Sequence, residues 1–496
     1  MTKKEFVGWL YQNNFMISPN LLKIIPEDFN FDDFFETKGK FLEKQEDVLM
    51  LNEDLLKNLL KEIKRVEVQE VNTNVEIVSN YWSPSIKKEV KHFVSYFRKR
   101  YEKIKSYLLT RTELQGVISL SKVERKVEKE PVAIIGVVLE KNITKNGHVI
   151  LTLEDPTGKV KVLIHKNNKE SYALVGDLVL DEIIGITGVM GENIVFADAL
   201  IFPEVPLMEF KKCEDDVCAV FTADFHVGSD MFVEEDLERF IGWLNLEFGD
   251  NEQKELAKKV KYIFVAGDLV DGVGIYPGQD KELVIKDIVE QYDKCAEFLG
   301  RIRKDIKIII CGGNHDALRI AEPQPPLNPD FAGALYKLKN VKLVTNPSII
   351  NIHKVNGFQG FNVLMYHGYC FDYYVNNVES IRTNGGYDRA DLLMEFLLKK
   401  RHLAPTHSST LYMPDLDKDP LVIESLPDFF VSGHVHHDVV VKNFKNITLI
   451  GAGSWQKMTS FQEKLGHTNI VPARVPVVSL KTRQVKVMDF RGDKDE

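Results

Sequence analysis

The sequence predicts a multidomain protein of mixed class, α/β joined to all-β, and three observations carry that reading. The second half alternates short hydrophobic runs with longer helical patterns. Residues 131–205 pack apolar runs between tight turns, and residues 1–70 carry leucine and phenylalanine at helical intervals. With 496 residues and 44% hydrophobic content, the chain has material for several cores.

In order along the chain, residues 1–70 read as a small helical N-terminal domain. Phe6, Leu10, Leu21, Leu22, Phe34, Phe35, Leu42, Leu49, Leu55, Leu56, Leu59 and Leu60 recur at helical spacing, and Ser18-Pro19 and Asn52-Glu53-Asp54 have the chemistry of helix starts. Residues 71–130 read as a linker, polar up to Asn80, and then an amphipathic helix over about 85–109. Its apolar stripe is Val94, Phe97, Tyr101, Ile104 and Leu108, with Lys99, Arg100, Lys103 and Lys105 on a solvated face. Residues 131–205 hold apolar runs at 132–139, 148–153, 160–164, 178–189 and 194–201. Asn146-Gly147, Asp155-Pro156-Thr157-Gly158 and Gly191-Glu192-Asn193 supply the turns. A small closed barrel of the OB type fits, and its few aromatic and basic residues point to packing or subunit docking rather than to strand binding. Residues 206–496 form the remaining α/β domain.

Five motifs in that last domain follow strand-like runs: Asp224 with His226, Asp268 with Asp271, Asn314-His315-Asp316, His367-Gly368, and His434 with His436. Alternate residues of an extended chain point the same way, so Asp224/His226 and His434/His436 can each aim two donors at one place. Open α/β sheets bind ligands at such strand ends. Oxygen and imidazole donors without thiolate suit a pair of divalent cations, Mn²⁺ foremost, with Fe²⁺ or Zn²⁺ as the other candidates. Cation pairs of this kind cleave phosphoesters. His402, His407 and His437 read as cap, turn or surface histidines.

Composition narrows the class further. The N-terminus has no uninterrupted apolar core of a signal peptide and no run long enough for a membrane span, so a cytoplasmic protein with no membrane partner is expected. Five dispersed cysteines without a CxxC pair fit a reducing compartment. A net charge of −9 argues against holding DNA by bulk electrostatics.

The five motifs, in this order over roughly 215–455, resemble those of the calcineurin-like metallophosphoesterases. That resemblance implies a four-layer β-sandwich flanked by helices. It implies one cation on Asp224, His226 and His436 and a second on Asn314, His367 and His434. Asp268 would bridge them, and His315 would be the general acid, oriented by a carboxylate at Asp271. The arginine with which the family's phosphatases grip phosphate is replaced by Gly272, leaving Arg319 as a substitute candidate. A narrower resemblance, to the small subunits of archaeal family D DNA polymerases, spans nearly the whole chain. It rests on Lys400-Arg-His-Leu-Ala-Pro405, Leu426-Pro-Asp428, Gly453-Ser-Trp-Gln456 and Val471-Pro-Ala-Arg-Val-Pro476. It implies a 3′–5′ exodeoxyribonuclease that proofreads primer 3′ ends for a large catalytic subunit, its partner in a heterodimer. A sliding clamp is a further partner to consider, although no convincing clamp peptide stands out. The alternatives are a stand-alone enzyme for small phosphodiesters and a non-catalytic scaffold subunit.

Overall fold

The computed structural model describes residues 73–81, 87–355, 357–464 and 469–492, with the fragments 7–8, 15–16 and 49–50. Two units emerge, Met1–Glu70 and Val71–Glu496. In the first, Phe15–Met16 pairs in parallel with Leu49–Met50. Of the helices expected there, residues 7–8 are helical and Leu49 lies in a strand instead, while the starts at Ser18 and Asn52 lie outside the described residues.

The second unit is built on two six-stranded sheets and a barrel. One sheet runs Val341–Leu343, Lys307–Cys311, Val260–Ala266, Cys218–Thr222, Arg474–Ser479, Val485–Asp489; its first four strands are parallel. The other runs Val440–Phe444, Ile447–Gly451, Phe429–Ser432, Phe361–Met365, Ser348–Ile352, Val75–Asn80, with a parallel centre. Val260–Ala266 is buried at every position, as expected of a parallel strand covered on both faces. Alternation decides which face each side chain serves. Phe221, Phe264 and Ile309 of one sheet meet Phe361, Val363, Phe429 and Val431 of the other in a shared core. Their neighbours Val220, Val265 and Ile310 pack with Leu237, Phe240 and Tyr292 from helices Glu234–Leu244 and Ile288–Gly300. On the second sheet, Leu364, Phe430 and Leu449 pack with Leu393, Met394 and Leu397 from helix Ala390–Lys400. Each such fully buried side chain contributes roughly 1.5–3 kcal/mol.

The barrel closes from Pro131–Ile143, Val149–Asp155, Gly158–Ile164, Val195–Ile201 and Ile183–Met190, in that spatial order. The turns behave as read from sequence: the Asp155 carboxylate accepts from the backbone of Thr157 and Gly158, and Gly147 takes φ +80°. The strand Ile183–Met190 begins later than the apolar run at 178 suggests, because the segment before it docks outward. There, buried Glu182 pairs with buried Lys400 at 2.7 Å, and Leu180 O accepts from Thr406.

Two expectations upstream are corrected. Val75–Asn80 is no linker but an edge strand, antiparallel to Ser348–Ile352. Only Val75 of it is buried, with Ile77 and Val78 exposed beside Glu76, Ser79 and Asn80, so the segment carries no clear alternation of buried and exposed positions. The helix spans Val90–Leu108, but its buried face is rotated: Tyr96, Arg100, Tyr101, Ile104 and Leu108 are inside, while Val94 and Phe97 are exposed. Arg100, assigned to the solvated face, is buried against Asp419 at 2.5 Å, and its guanidinium lies over Tyr412. His402, read as a cap or surface residue, is also buried and donates to Asp419 at 2.8 Å. His437 is buried too, stacked on Tyr387 and bonded to Asp388. The segment from Lys400 to Pro405 thus ties barrel, helix and sheets together, since Arg401 adds bonds to Ile423 O and Pro405 O accepts from Arg100.

Candidate metal centre

All five motifs leave the carboxyl ends of parallel strands: Cys218–Thr222, Val260–Ala266, Lys307–Cys311, Phe361–Met365 and Phe429–Ser432. The physical reason differs from the extended-chain argument. Asp224, His226, Asp268, His434 and His436 have φ between +51° and +73°, so the strands have already ended and each donor sits in a left-handed turn. Such backbone costs of order 1–3 kcal/mol per residue and persists where the surroundings over-determine it. Here the bonds His226 N to Asp268 O, Asp224 N to Gly267 O and Trp455 N to Asp224 O fix it. Close approach explains two glycines: a Cβ on Gly313 would stand 2.2 Å from Asp268 Oδ1, and one on Gly433 would stand 2.4 Å from Asp224 Oδ2.

Among the described residues the donors converge around one cleft as three groups, one of them His226, Asp271 and His315. Asp224, His226 and His436 present ligand atoms within 4.8 Å of one another, as do Asp268, His367 and His434. Asn314 Oδ1 lies 2.9 Å from His367 Nε2, which is 3.2 Å from Asp268 Oδ2. Asp268 Oδ2 is 3.8 Å from His226 Nε2, so this carboxylate stands between the groups. The other ring nitrogens are occupied by partners that fix each imidazole: His367 Nδ1 donates to Ala266 O at 2.8 Å, and His226 Nδ1 donates to Asp271 Oδ1 at 3.0 Å. His226 Nε2 and His436 Nε2 face each other at 2.9 Å. Two imidazoles pointing at one spot beside carboxylates is the chemistry of a cation site, and the donor set fits one.

Electrostatics concentrates charge at the same place. Burial opposes the ionised form of Asp268, yet the imidazoles of His367 and His315 hold its carboxyl well below the usual range. Burial alone would push His367 down, but the Asp268 carboxylate raises it to about 10. Asp316, behind the loop, is pushed up to about 7 by burial and then by Asp268, and it fixes the Gly313 amide at 2.9 Å.

His315 lines the cleft, with its backbone N–H on Asp268 Oδ1 and its Nδ1 donating to the Asp271 carbonyl at 2.8 Å. The carboxylate of Asp271 therefore orients His226, and only its backbone orients His315. Arg319 donates to Ala321 O and Pro323 O in its own loop and does not line the cleft. Sequence reasoning missed the supporting side chains. Gln279 and Gln456 each bond the Asp271 carboxylate, Gln462 Nε2 lies 2.9 Å from His436 Nδ1, and Asp372 reaches His434 at 3.2 Å. Of these, only Gln456 falls in a segment that the sequence itself marks, Gly453 to Gln456.

The cleft has a volume of about 280 Å³, and among the described residues no lysine or arginine lines it. Among the described residues, no helix is long and apolar enough to cross a membrane.

Comparison with known proteins gives a consistent family. Residues 219–440 match the family model for the B-type subunits of DNA polymerases alpha and epsilon. The DNA polymerase II small subunit of Methanothermobacter thermautotrophicus is 39% identical over 402 residues, covering 81% of this chain and 80% of that protein. The Pyrococcus furiosus protein of the same name is 38% identical over 81% of this chain and 64% of its own length. That of Archaeoglobus fulgidus is 36% identical over 78% and 75%. With identity of this level across four-fifths of its length, the chain belongs to the family of archaeal DNA polymerase II small subunits, the small subunits of family D.

Proposed function

We propose that this chain is a metal-dependent 3′–5′ exodeoxyribonuclease that proofreads primer ends for a large catalytic polymerase subunit, on a calcineurin-like sandwich preceded by an OB barrel. The relatives' name, a small subunit of a DNA polymerase, supplies the partner. The observation that carries the activity is the convergence of Asp224, His226, His436 and of Asp268, His367, His434 in one open cleft beside His315.

Asp224, His226 and His436 would hold one divalent cation, Asn314, His367 and His434 the other, and Asp268 both. Mn²⁺ is the first candidate, with Fe²⁺ and Zn²⁺ as competitors. When bound, such a pair activates water and screens phosphoryl charge. The chain's own residues do the rest. Asp271 and Ala266 O orient the ligand imidazoles. As an imidazolium, with its Nδ1–H held by Asp271 O, His315 would give its Nε2 proton to the leaving 3′ oxygen and be left as the neutral ring. Among the described residues no lysine or arginine lines the wall, so the bound cations would supply the positive charge that a phosphate needs. A small subunit acting only as a scaffold would have no use for this ligand set.

The test is digestion of a labelled primer in Mn²⁺ by the chain co-purified with its large subunit, against Asp268→Asn. The reading expects 3′ trimming that is faster on mismatched ends and absent from the variant. Equal trimming by both proteins would refute it.

A further inference from the structure

At the rim of the cleft two aromatic rings lie face to face. Tyr276 and Phe461 have centroids 4.7 Å apart and planes 13° from parallel, and both line the cleft with His315 and His436. Phe461 remains 40% exposed although it sits beside a polar centre. The pair is held in place from both sides. The Tyr276 hydroxyl donates to Glu282 at 2.8 Å, and the other oxygen of that carboxylate accepts from Ser460 Oγ, next to Phe461. Gln462, on the other side of Phe461, reaches His436 Nδ1. The ring stack is therefore fixed in register with the candidate ligands.

A half-exposed ring stack beside the proposed phosphoester site, on a wall where no lysine or arginine is found among the described residues, offers one kind of recognition. It presents a flat apolar face to a flat partner. Every nucleobase has such a face, and stacking on it tolerates any sequence. A paired terminal base is held at its edge by its partner and reaches the platform only after unpairing, a cost that an already unpaired end does not meet. We propose that Tyr276 and Phe461 form the stacking platform for the unpaired base of the 3′-terminal nucleotide, with Phe461 as its exposed face. This rests on the nuclease reading and supplies the residues that would make the site prefer frayed ends.

The experiment crosses two proteins with two substrates, using the full chain with its large subunit in Mn²⁺. Unaltered protein and Phe461→Ala are compared on single strands ending in an ordinary nucleoside or in an abasic one. Phe461→Trp serves as the conservative variant, and thermal melting verifies the fold. Loss of one stacked base lowers kcat/KM about 5- to 150-fold on the ordinary end. The same substitution should leave the abasic end unchanged, and Phe461→Trp should retain the preference. Equal loss on both substrates, or no loss on either, overturns the platform while leaving the nuclease reading intact. An unaltered protein that trims neither substrate overturns both.

Discussion

Two buried clusters in this molecule use the same residue types to opposite ends. Arg100, Asp419 and His402 form a closed set: guanidinium and imidazole both donate to one carboxylate, Tyr412 covers the guanidinium, and His402 Nδ1 accepts from Ala404 N. The Asp419 carboxylate and both ring nitrogens of His402 are answered from within the chain, and in this set only Arg100 Nη2 is left buried without a hydrogen-bond partner. In the cleft, the imidazole nitrogens of His226 and His436 confront each other, and Asp268 stands between two histidine groups at the base of an open cavity. The lesson is that histidine and aspartate do not mark a ligand site by their presence or burial. Convergence of donors beyond what they can satisfy among themselves marks it.

Substitutions break this contrast in opposite ways. In the cleft, His315→Ala should lower turnover by about 10²- to 10⁴-fold, the usual contribution of a positioned proton donor, with an unchanged melting temperature. A primer-digestion time course together with calorimetry checks it. In the closed set, Arg100→Met leaves the Asp419 carboxylate buried without its main partner, which should cost about 3–5 kcal/mol of stability. Urea denaturation reads that loss, and cation binding by the folded fraction should stay as it was. If Arg100→Met abolished cation binding in folded protein, the two clusters would not be independent.

Asp271→Asn sharpens the comparison at the next level down. It leaves every proposed ligand in place but removes the carboxylate that holds His226 Nδ1, so Mn²⁺ affinity should fall by about 10- to 100-fold. Titration calorimetry on the folded variant measures this.

The smallest effect is on pH dependence. Burial, then Arg100, holds His402 down to about 4, below its unfolded value of about 6.5. Between those values the unfolded chain binds the extra proton. The stability from the neutral ring is thus complete above about pH 6.5 and is lost as the pH falls toward 4. The Asp419 carboxyl, opposed by burial but held well below its ordinary range by Arg100, adds a loss at still lower pH. Denaturation midpoints at pH 7.5, 6 and 5 should decline, and His402→Gln should flatten the slope.

The proposed ligands were legible in the sequence because each stands in a short run of rare composition after an apolar strand, as in Val265-Ala266-Gly267-Asp268. The reason for their convergence was not legible. Extended alternation was the natural inference for Asp224/His226, whereas both residues occupy left-handed turns set by bonds to distant loops. The barrel was readable from its turns, since Asn146-Gly147 and the Asp155 turn act through local chemistry. Arg100 was not, because a helical charge reads as solvated until Asp419, more than three hundred residues away, is brought to it. Gln279 and Gln462 were invisible for the same reason, and Gln456 was marked only as part of Gly453–Gln456: a lone amide gains meaning from the carboxylate or imidazole it meets. The edge strand Val75–Asn80 lacked the two-sided burial that makes Val260–Ala266 plain.

Anomalous diffraction from crystals of the chain soaked in Mn²⁺ tests the central claim most directly. The account predicts two peaks about 3.5–4 Å apart flanking Asp268, one beside Asp224, His226 and His436 and the other beside Asn314, His367 and His434. A cleft without anomalous density at saturating Mn²⁺, or with cations bound only elsewhere on the chain, would contradict it.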